Sequence, residues 1–432
     1  MVSEILLVLF YTLFCLKVSP KVIIYSIFLL LPLHGFVKTV IFNDSGAIFT
    51  IWKEIGIIIA LYKTRKVQGN GTRILNKTII IYILIIIFYL LIGVNNNYSY
   101  TGDIRKFIFP IPLFYLVLKI KFNLHDIKKL IYYIFLGSII INITGVIDFI
   151  SPSLRLIMRT IMGVEYEISP DGTIYYNITS FKIMGMDRVC GFMGGGPNMM
   201  GVFNAAIFLI AVLAYTKELF TKNKEIIIFF ITFTLCSFNL LLSFSRAGWA
   251  LVGITFCYMA ITNQKYRKLA IKSLSVISII GIIAYYSLDI VQKVINGTLS
   301  GDEASSAERG NMTRSALDYL LNNPFGYGLG ATTRDTDNYV YFAESSIINL
   351  GITTGVLGVI VYSLLLYIIF YLTKRNKQSP FMLIAPGFII AFYITAWVSV
   401  NMVENPFLYY AWLIMGLGLN KYLANGKSSY IK

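Results

Sequence analysis

Hydrophobic positions in this chain fall in long, nearly unbroken runs. They do not show the alternation of a strand or the one-sided stripe of a soluble helix. The runs are roughly 16 to 25 residues long, separated by short polar stretches, which matches the hydrocarbon thickness of a bilayer. Spans are predicted at about 3–17, 22–37, 47–62, 78–94, 104–120, 127–149, 198–216, 225–242, 246–262, 271–288, 345–372, 380–399 and 405–423. This gives about 13 spans, with 12 to 14 compatible with the short, poorly bounded first two. The expected fold class is all-α, a polytopic membrane helical bundle forming a single integral membrane domain over 1–432. The opening MVSEILLVLFYTLFCLKVSP lacks the basic region and small-residue cleavage site of a signal peptide, so it is read as the first, retained span.

Two connections are too long to be simple turns. The first, 150–197, contains SPSLRLIMRTIMG, where Leu154, Ile157, Met158 and Ile161 recur at helical spacing opposite Arg155 and Arg159. That pattern fits a helix on the membrane surface. The second, 289–344, contains SSAERGNMTRSALDYLLNNP, with an apolar stripe of Met312, Ala316, Leu317 and Leu320 and Pro324 beyond the helix end. It is expected to form a helical subdomain.

Composition agrees with the pattern, at 57% hydrophobic and 13% charged. The net charge of +16 raises the question of nucleic acid, and the distribution of the charge answers it. Seven clusters in alternate connections, from Lys17 and Lys21 through Lys374–Lys377 to the tail, hold 24 of the 37 Lys and Arg, opposed only by Asp126, Glu218 and Glu225. Such clustering marks those connections as cytoplasmic and both long loops as periplasmic or extracellular. No nucleic-acid partner is needed, and membrane lipid is the expected surrounding. Of four cysteines only Cys190 lies in an outer loop, so no intramolecular disulfide framework is expected there.

Charge close to membrane depth is costly, and each such residue is a candidate for function. Arg246 follows Ser245 in the short outer connection of LLLSFSRAGWALVGI. It is compatible with snorkelling to headgroup phosphates and with a guanidinium aimed into a cavity to hold phosphate. Arg309 and Arg314 share a predicted helix ahead of NNPFGYGLG, whose Gly326, Gly328 and Gly330 suit tight turns and close backbone approach. Glu344, followed by Ser345, heads a long span, either as a helix cap or as a general base. Arg188 precedes the glycine-rich turn of DRVCGFMGGGPNMMG and is a candidate anion ligand, while Pro197 and Asn198 suit the start of a helix. Arg105 and Lys106, at the outer end of a span, are possible auxiliaries, and Lys53 and Glu54 are expected to neutralise one another within a span. His34 and His125 lie far apart, on opposite sides in this topology, which leaves no serine-histidine triad or histidine metal site. Asp335 and Asp337 in RDTDN look like a metal-binding DxD pair, with a flexible acidic loop as the favoured alternative; no metal or cofactor is expected.

In order along the chain, RVCGFMGGGPN, SFSRAGW, RGNMTRSALDYLLNNPFGYGLG and ESSIINLGITTGVLG resemble the O-antigen ligase and O-antigen polymerase superfamily of bacterial membrane glycosyltransferases. The resemblance covers roughly 185–420; the first half is similar mainly in hydropathy. It implies a GT-C-like architecture in the bacterial inner membrane with the active site facing outward. Arg246 and Arg309 match the family's arginines and are expected to hold a diphosphate, assisted by Arg314 and Arg188, and Glu344 is expected to accept the proton of, or to orient, the attacking sugar hydroxyl; Asn198, Arg105 and Ser345 complete the candidate substrate-binding set. The ligases carry a histidine nine residues before a Gly-x-x-Gly; here Glu344 and Ser345 stand in those places before Gly355 and Gly358, a departure that favours the polymerase branch. The implied substrates are undecaprenyl-diphosphate-linked oligosaccharides as donor and acceptor. A chain-length regulator and a flippase of the same pathway are possible partners, and a ligase or a flippase for the same lipid-linked sugar is the alternative function.

Overall fold

The computed structural model describes residues 2–42, 48–67, 69, 71–168, 174–176, 181–183, 186–287, 292, 296, 304–333 and 339–420. In chain order the helices are α1 (Val2–Lys17), α2 (Pro20–Leu30), α3 (His34–Phe36), α4 (Trp52–Lys63), α5 (Arg73–Asn95), α6 (Thr101–Phe107), α7 (Pro110–Lys119), α8 (Leu124–Ile150), α9 (Pro152–Ile161), α10 (Gly196–Thr216), α11 (Asn223–Leu242), α12 (Arg246–Thr262) and α13 (Gln264–Ser287). They continue as α14 (Ala304–Asn322), α15 (Ser346–Arg375), α16 (Ala385–Ala396) and α17 (Phe407–Leu419). Strand structure among the described residues is confined to two small antiparallel ribbons in the first long loop, Tyr166–Ile168 with Ile174–Tyr176 and Lys182–Ile183 with Met186–Asp187. The protein is an all-α polytopic membrane protein. Helices α5, α8, α10, α11 and α15 are long and apolar enough to cross a bilayer, and Pro20–Phe36, α12, α16 and α17 are shorter apolar helical stretches.

Apolar side chains sort by position in the bundle. Every residue of α17 is buried, as is most of α10, the condition of a helix hydrophobic all round and enclosed by others. On α5, by contrast, Leu75, Ile79, Tyr82 and Ile86 face inward while Ile74, Ile81, Leu84, Phe88 and Leu91 are exposed. A row of large exposed aliphatics on a span is a lipid-facing surface. Polar groups inside the bundle find partners on neighbouring helices. Asn239 of α11 donates to both oxygens of Asn142 on α8, at 2.9 and 3.1 Å. Lys53 meets Glu54 at 3.1 Å and donates to the Thr50 carbonyl, while the Tyr409 hydroxyl donates to the same Glu54 oxygen at 2.9 Å, so the expected mutual neutralisation is present and shared with α17.

At one end of the bundle, basic residues bind the connections together. Lys63 donates to the carbonyls of Cys15, Leu16 and Val18, capping α1 where its dipole favours a cation. Asn123 and Asp126 form a reciprocal cap on α8, and Asp126 also accepts from Lys21 at 2.6 Å.

Several predicted spans are broken, and the breaks matter for the site. The run at 104–120 is two helices, because Pro110 has no N–H to continue the ladder. The run at 22–37 narrows into a 3-10 turn, Leu31–Leu33, around Pro32 before α3. Helix α15 is kinked at Gly355, which has φ 64°. There Val356 N–H and the Ile352 carbonyl, four residues apart, would pair in a continuous helix. Instead Val356 donates to Pro324 (2.9 Å) and Ile352 accepts from Tyr327 (2.8 Å), while Gly328 donates to Thr353 (3.0 Å) and Leu329 to Tyr89 of α5 (2.9 Å). The turn PFGYGLG is therefore a backbone plug in the break of α15.

Candidate functional site

The first long loop is held by ion pairs. Arg155 reaches Asp148 at 3.1 Å and Asp187 at 2.6 Å, and Arg159 reaches Asp187 at 3.1 Å. Asp148 also accepts the backbone N–H groups of Cys190 and Gly191 at 2.7 and 2.9 Å. The arginines of α9 thus turn inward, and Leu154, Ile157 and Ile161 form its exposed face; Met158, expected on that apolar stripe, is buried with Arg159 instead.

This clamp delivers Arg188 to the head of α12. Arg188 is buried; its Nε donates to the Ser243 carbonyl at 2.8 Å, and its Nη2 to Asn198 Oδ1 at 2.6 Å and the Phe244 carbonyl at 3.4 Å. Ser245 caps α12 by accepting from Gly248 N–H, and its hydroxyl donates to the Asn198 carbonyl at 3.3 Å. Arg188 and Asn198 therefore shape the turn on which Arg246, first residue of α12, presents an exposed side chain. A cation at a helix N-terminus opposes the dipole at a cost of about 0.3 to 1 kcal/mol. Helix stability does not account for Arg246 being there.

The second group forms around Glu344. Ser345 is buried, accepts from Ile348 N–H at 3.2 Å as the cap of α15 and donates to the Ala396 carbonyl at 3.3 Å; Ser346 donates to Ser399 at 2.7 Å. Asn349 exchanges two 2.8 Å hydrogen bonds with the backbone of Ala343. With the backbone fixed on both sides, the Glu344 side chain is left half-buried. Ala343 shares a small core with Ala316 of α14, Ala331 and Ile352. Arg314, exposed, is two residues before Ala316, and Arg309 lies on the same helix about two turns before it. Asp335 and Asp337 lie outside the described residues.

Gly330 N–H donates to Asp103 of α6 at 2.8 Å, tying the glycine turn to the helix that carries Arg105 and Lys106. Lys106 Nζ stands 3.9 Å from Glu404, a residue that the sequence reading passed over. Burial pushes the Glu404 carboxyl above the usual carboxylate range; Lys106 opposes the shift and the Glu344 charge adds to it. Two carboxylates and a lysine thus meet where α15 begins and α17 is about to begin. The Arg105 charge is felt at His34 and Lys53.

A cavity of about 480 Å³ is lined by Pro32, His34, Lys38, Phe192, the turn Gly194–Gly196 and Asn405–Pro406. Its walls are continuous in sequence with both groups: Gly196 stands two residues before Asn198, and Asn405 follows Glu404. The 3-10 turn Val400–Val403 packs against both α10 and α15, so both groups share one end of the bundle. The volume is in the range of small-ligand sites, and a lining that sets His34 and Lys38 among apolar side chains and bare glycine backbone suits a ligand with both polar and apolar faces.

Fold and site together define a polytopic membrane protein with a cavity at one end of its bundle. Residues 231–363 match the family model described as O-antigen ligase, which places this region, with Arg246, Arg309, Arg314, Glu344 and Ser345 on it, in the O-antigen ligase and polymerase superfamily. The family supports an enzyme of the ligase or polymerase type, a membrane glycosyltransferase-like protein of lipopolysaccharide biosynthesis. No curated protein matches the chain.

Proposed function

We propose that this protein is an O-antigen polymerase, joining undecaprenyl-diphosphate-linked oligosaccharide repeat units at the outer face of the bacterial inner membrane. The observation that carries the proposal is the family match over 231–363, the stretch that holds both the exposed Arg246 and the carboxylate Glu344. In the reaction, an acceptor sugar hydroxyl attacks the anomeric carbon of the donor. The new glycosidic bond forms as the bond to diphosphate breaks, and undecaprenyl diphosphate leaves with the electron pair. Negative charge grows on that leaving group, and fixed guanidinium groups stabilise it more in the transition state than in the ground state. Arg246 and Arg309 hold the diphosphate, with Arg314 assisting, and Arg188 and Asn198 hold the Arg246 turn. Glu344 accepts the hydroxyl proton, and attack from the face opposite the leaving group inverts the anomeric centre. On this reading the arginines supply the charge stabilisation that a metal ion gives in other transferases. A ligase that moves finished glycan to a lipid A core is the second reading, favoured by the description of the matching family. The missing histidine argues for the polymerase.

The test is chain extension by purified protein on a lipid-linked repeat unit. Arg246→Ala, Arg309→Ala and Glu344→Gln are each expected to lower kcat/KM by about 100-fold or more, the scale for removing a charge-stabilising donor or a general base. Normal extension by all three would overturn the site. In cells lacking the protein, single-repeat glycan points to a polymerase and accumulated long lipid-linked glycan to a ligase.

A further inference from the structure

His34 has no role in the proposed transfer chemistry, yet it lines the cavity. The break in the second span places it there: Pro32 ends α2, and the chain turns so that Gly35 lies against the Gly194–Gly196 turn. A Cβ on Gly35 would come within 2.9 Å of Gly194 N. Only at that separation does the imidazole reach a cavity walled by the head of α10. The ring is held on two sides. It stacks on Phe49, with centroids 5.5 Å apart at 18°, and Trp52 Nε1–H donates to His34 Nδ1 at 3.1 Å. Trp52 is itself set edge-on to Tyr11. An indole N–H only donates, so Nδ1 must be the acceptor, and the ring proton of neutral His34 resides on Nε2. Among the described residues no group hydrogen-bonds to Nε2.

We propose that His34 Nε2–H is a fixed hydrogen-bond donor to a sugar oxygen of the bound glycan, making the cavity a saccharide subsite built partly from the first half of the chain. A donor locked in one tautomer and one orientation selects for an acceptor oxygen at one place on the sugar, which is how a site discriminates between otherwise similar glycans. Because Nδ1 is engaged by Trp52 and Nε2 carries the proton, His34 is a binding residue and not the base. Phe192 and the bare glycine backbone of 194–196 supply the apolar face and close approach that a pyranose ring needs beside such a donor. The identity of the ligand as a glycan rests on the proposed function; the tautomer does not.

The chain has only two histidines, so ¹⁵N-histidine labelling yields two side chains to follow, and His34→Gln assigns them. In the full-length protein in detergent, His34 is expected as the Nε2–H tautomer. Its Nε2 resonance should move on titration with the delipidated repeat-unit oligosaccharide released by mild acid from the host's own lipid carrier. An Nδ1–H tautomer, or an unmoved resonance at saturating oligosaccharide, overturns the inference. In chain extension, His34→Ala is expected to raise KM for the acceptor about three- to tenfold with little change in kcat, the scale of one lost neutral hydrogen bond. His34→Gln, which keeps an N–H donor on a side chain of similar length, should recover part of the loss. Wild-type kinetics in His34→Ala would sink this subsite while leaving the polymerase reading intact. Absence of extension by the wild type would sink the polymerase reading while the saccharide titration still decides the subsite.

Discussion

Two arginines close in space have opposite surroundings. Arg188 is buried and gives its N–H groups to the carbonyls of Ser243 and Phe244 and to Asn198, whereas Arg246 stands exposed on the turn that those bonds shape. Their variants should separate accordingly. Arg188→Ala leaves buried acceptors without donors, and is expected to cost on the order of 2 kcal/mol of stability, so thermal unfolding in detergent and activity should fall together. Arg246→Ala should keep the unfolding temperature and lose activity. Glu404 carries a pH signature. Its half-buried carboxyl is held above the usual carboxylate range, chiefly by loss of solvent and further by the nearby Glu344 charge, with Lys106 opposing. A group raised in this way favours the folded state fully below the unfolded pKa and loses that contribution as pH rises through the folded one. Glu404→Gln cannot ionise, so the unfolding temperature of wild type should fall relative to that of Glu404→Gln as pH is raised from about 4 to 8. A constant difference between the two would show that Glu404 titrates normally. Arg246 and Glu344 stand out in the sequence as candidates because charge at a membrane boundary is conspicuous. Glu404, in MVENPF, carries the same signal without a motif around it. Nothing local to Arg188 shows that its guanidinium closes on a turn 55 residues away.

At the scale of elements, the glycine turn and the kinked helix explain each other. Gly326, Gly328 and Gly330 all have positive φ, from 81° to 106°, and a Cβ on Gly328 would stand 2.6 Å from Gly93 N of α5. Spacing alone indicated turns and close approach, as found. It did not indicate that the groups approached would be the opened backbone of α15 and the end of α5. Hydrogen-bond donors of one segment and acceptors of another, hundreds of residues apart in α5, leave no local trace in sequence. Gly328→Ala should therefore detach the plug and cost on the order of 2 kcal/mol or more, measured as a lower unfolding temperature. Activity should fall with it, since the same turn ties α6, bearing Lys106, to the loop that carries Glu344. A stable, active Gly328→Ala protein would mean that the plug does not position the site.

At the scale of the whole molecule, the charge pattern predicts an orientation for the bundle, and labelling tests it. In a background with the four native cysteines replaced, Asn322→Cys is expected to react with a membrane-impermeant maleimide on intact spheroplasts, and Lys121→Cys only after permeabilisation. The reverse result would place the candidate site on the cytoplasmic side and exclude an externally acting polymerase. The sequence by itself determined the class: apolar runs too long for a soluble core require helices whose backbone bonds close within each span, and the placement of Lys and Arg follows from the cost of moving charge across the bilayer. It also determined which region carries the family's residues, because those motifs are local. Tertiary structure alone decided which spans are enclosed and which face lipid, since α5 and α17 are both strongly apolar but only α17 is buried throughout. It alone decided that Glu404 joins Glu344 and that His34 reaches the cavity. Both depend on breaks and close approaches between segments distant in the chain, where the partner of each buried polar group is chosen by packing and not by its neighbours in sequence.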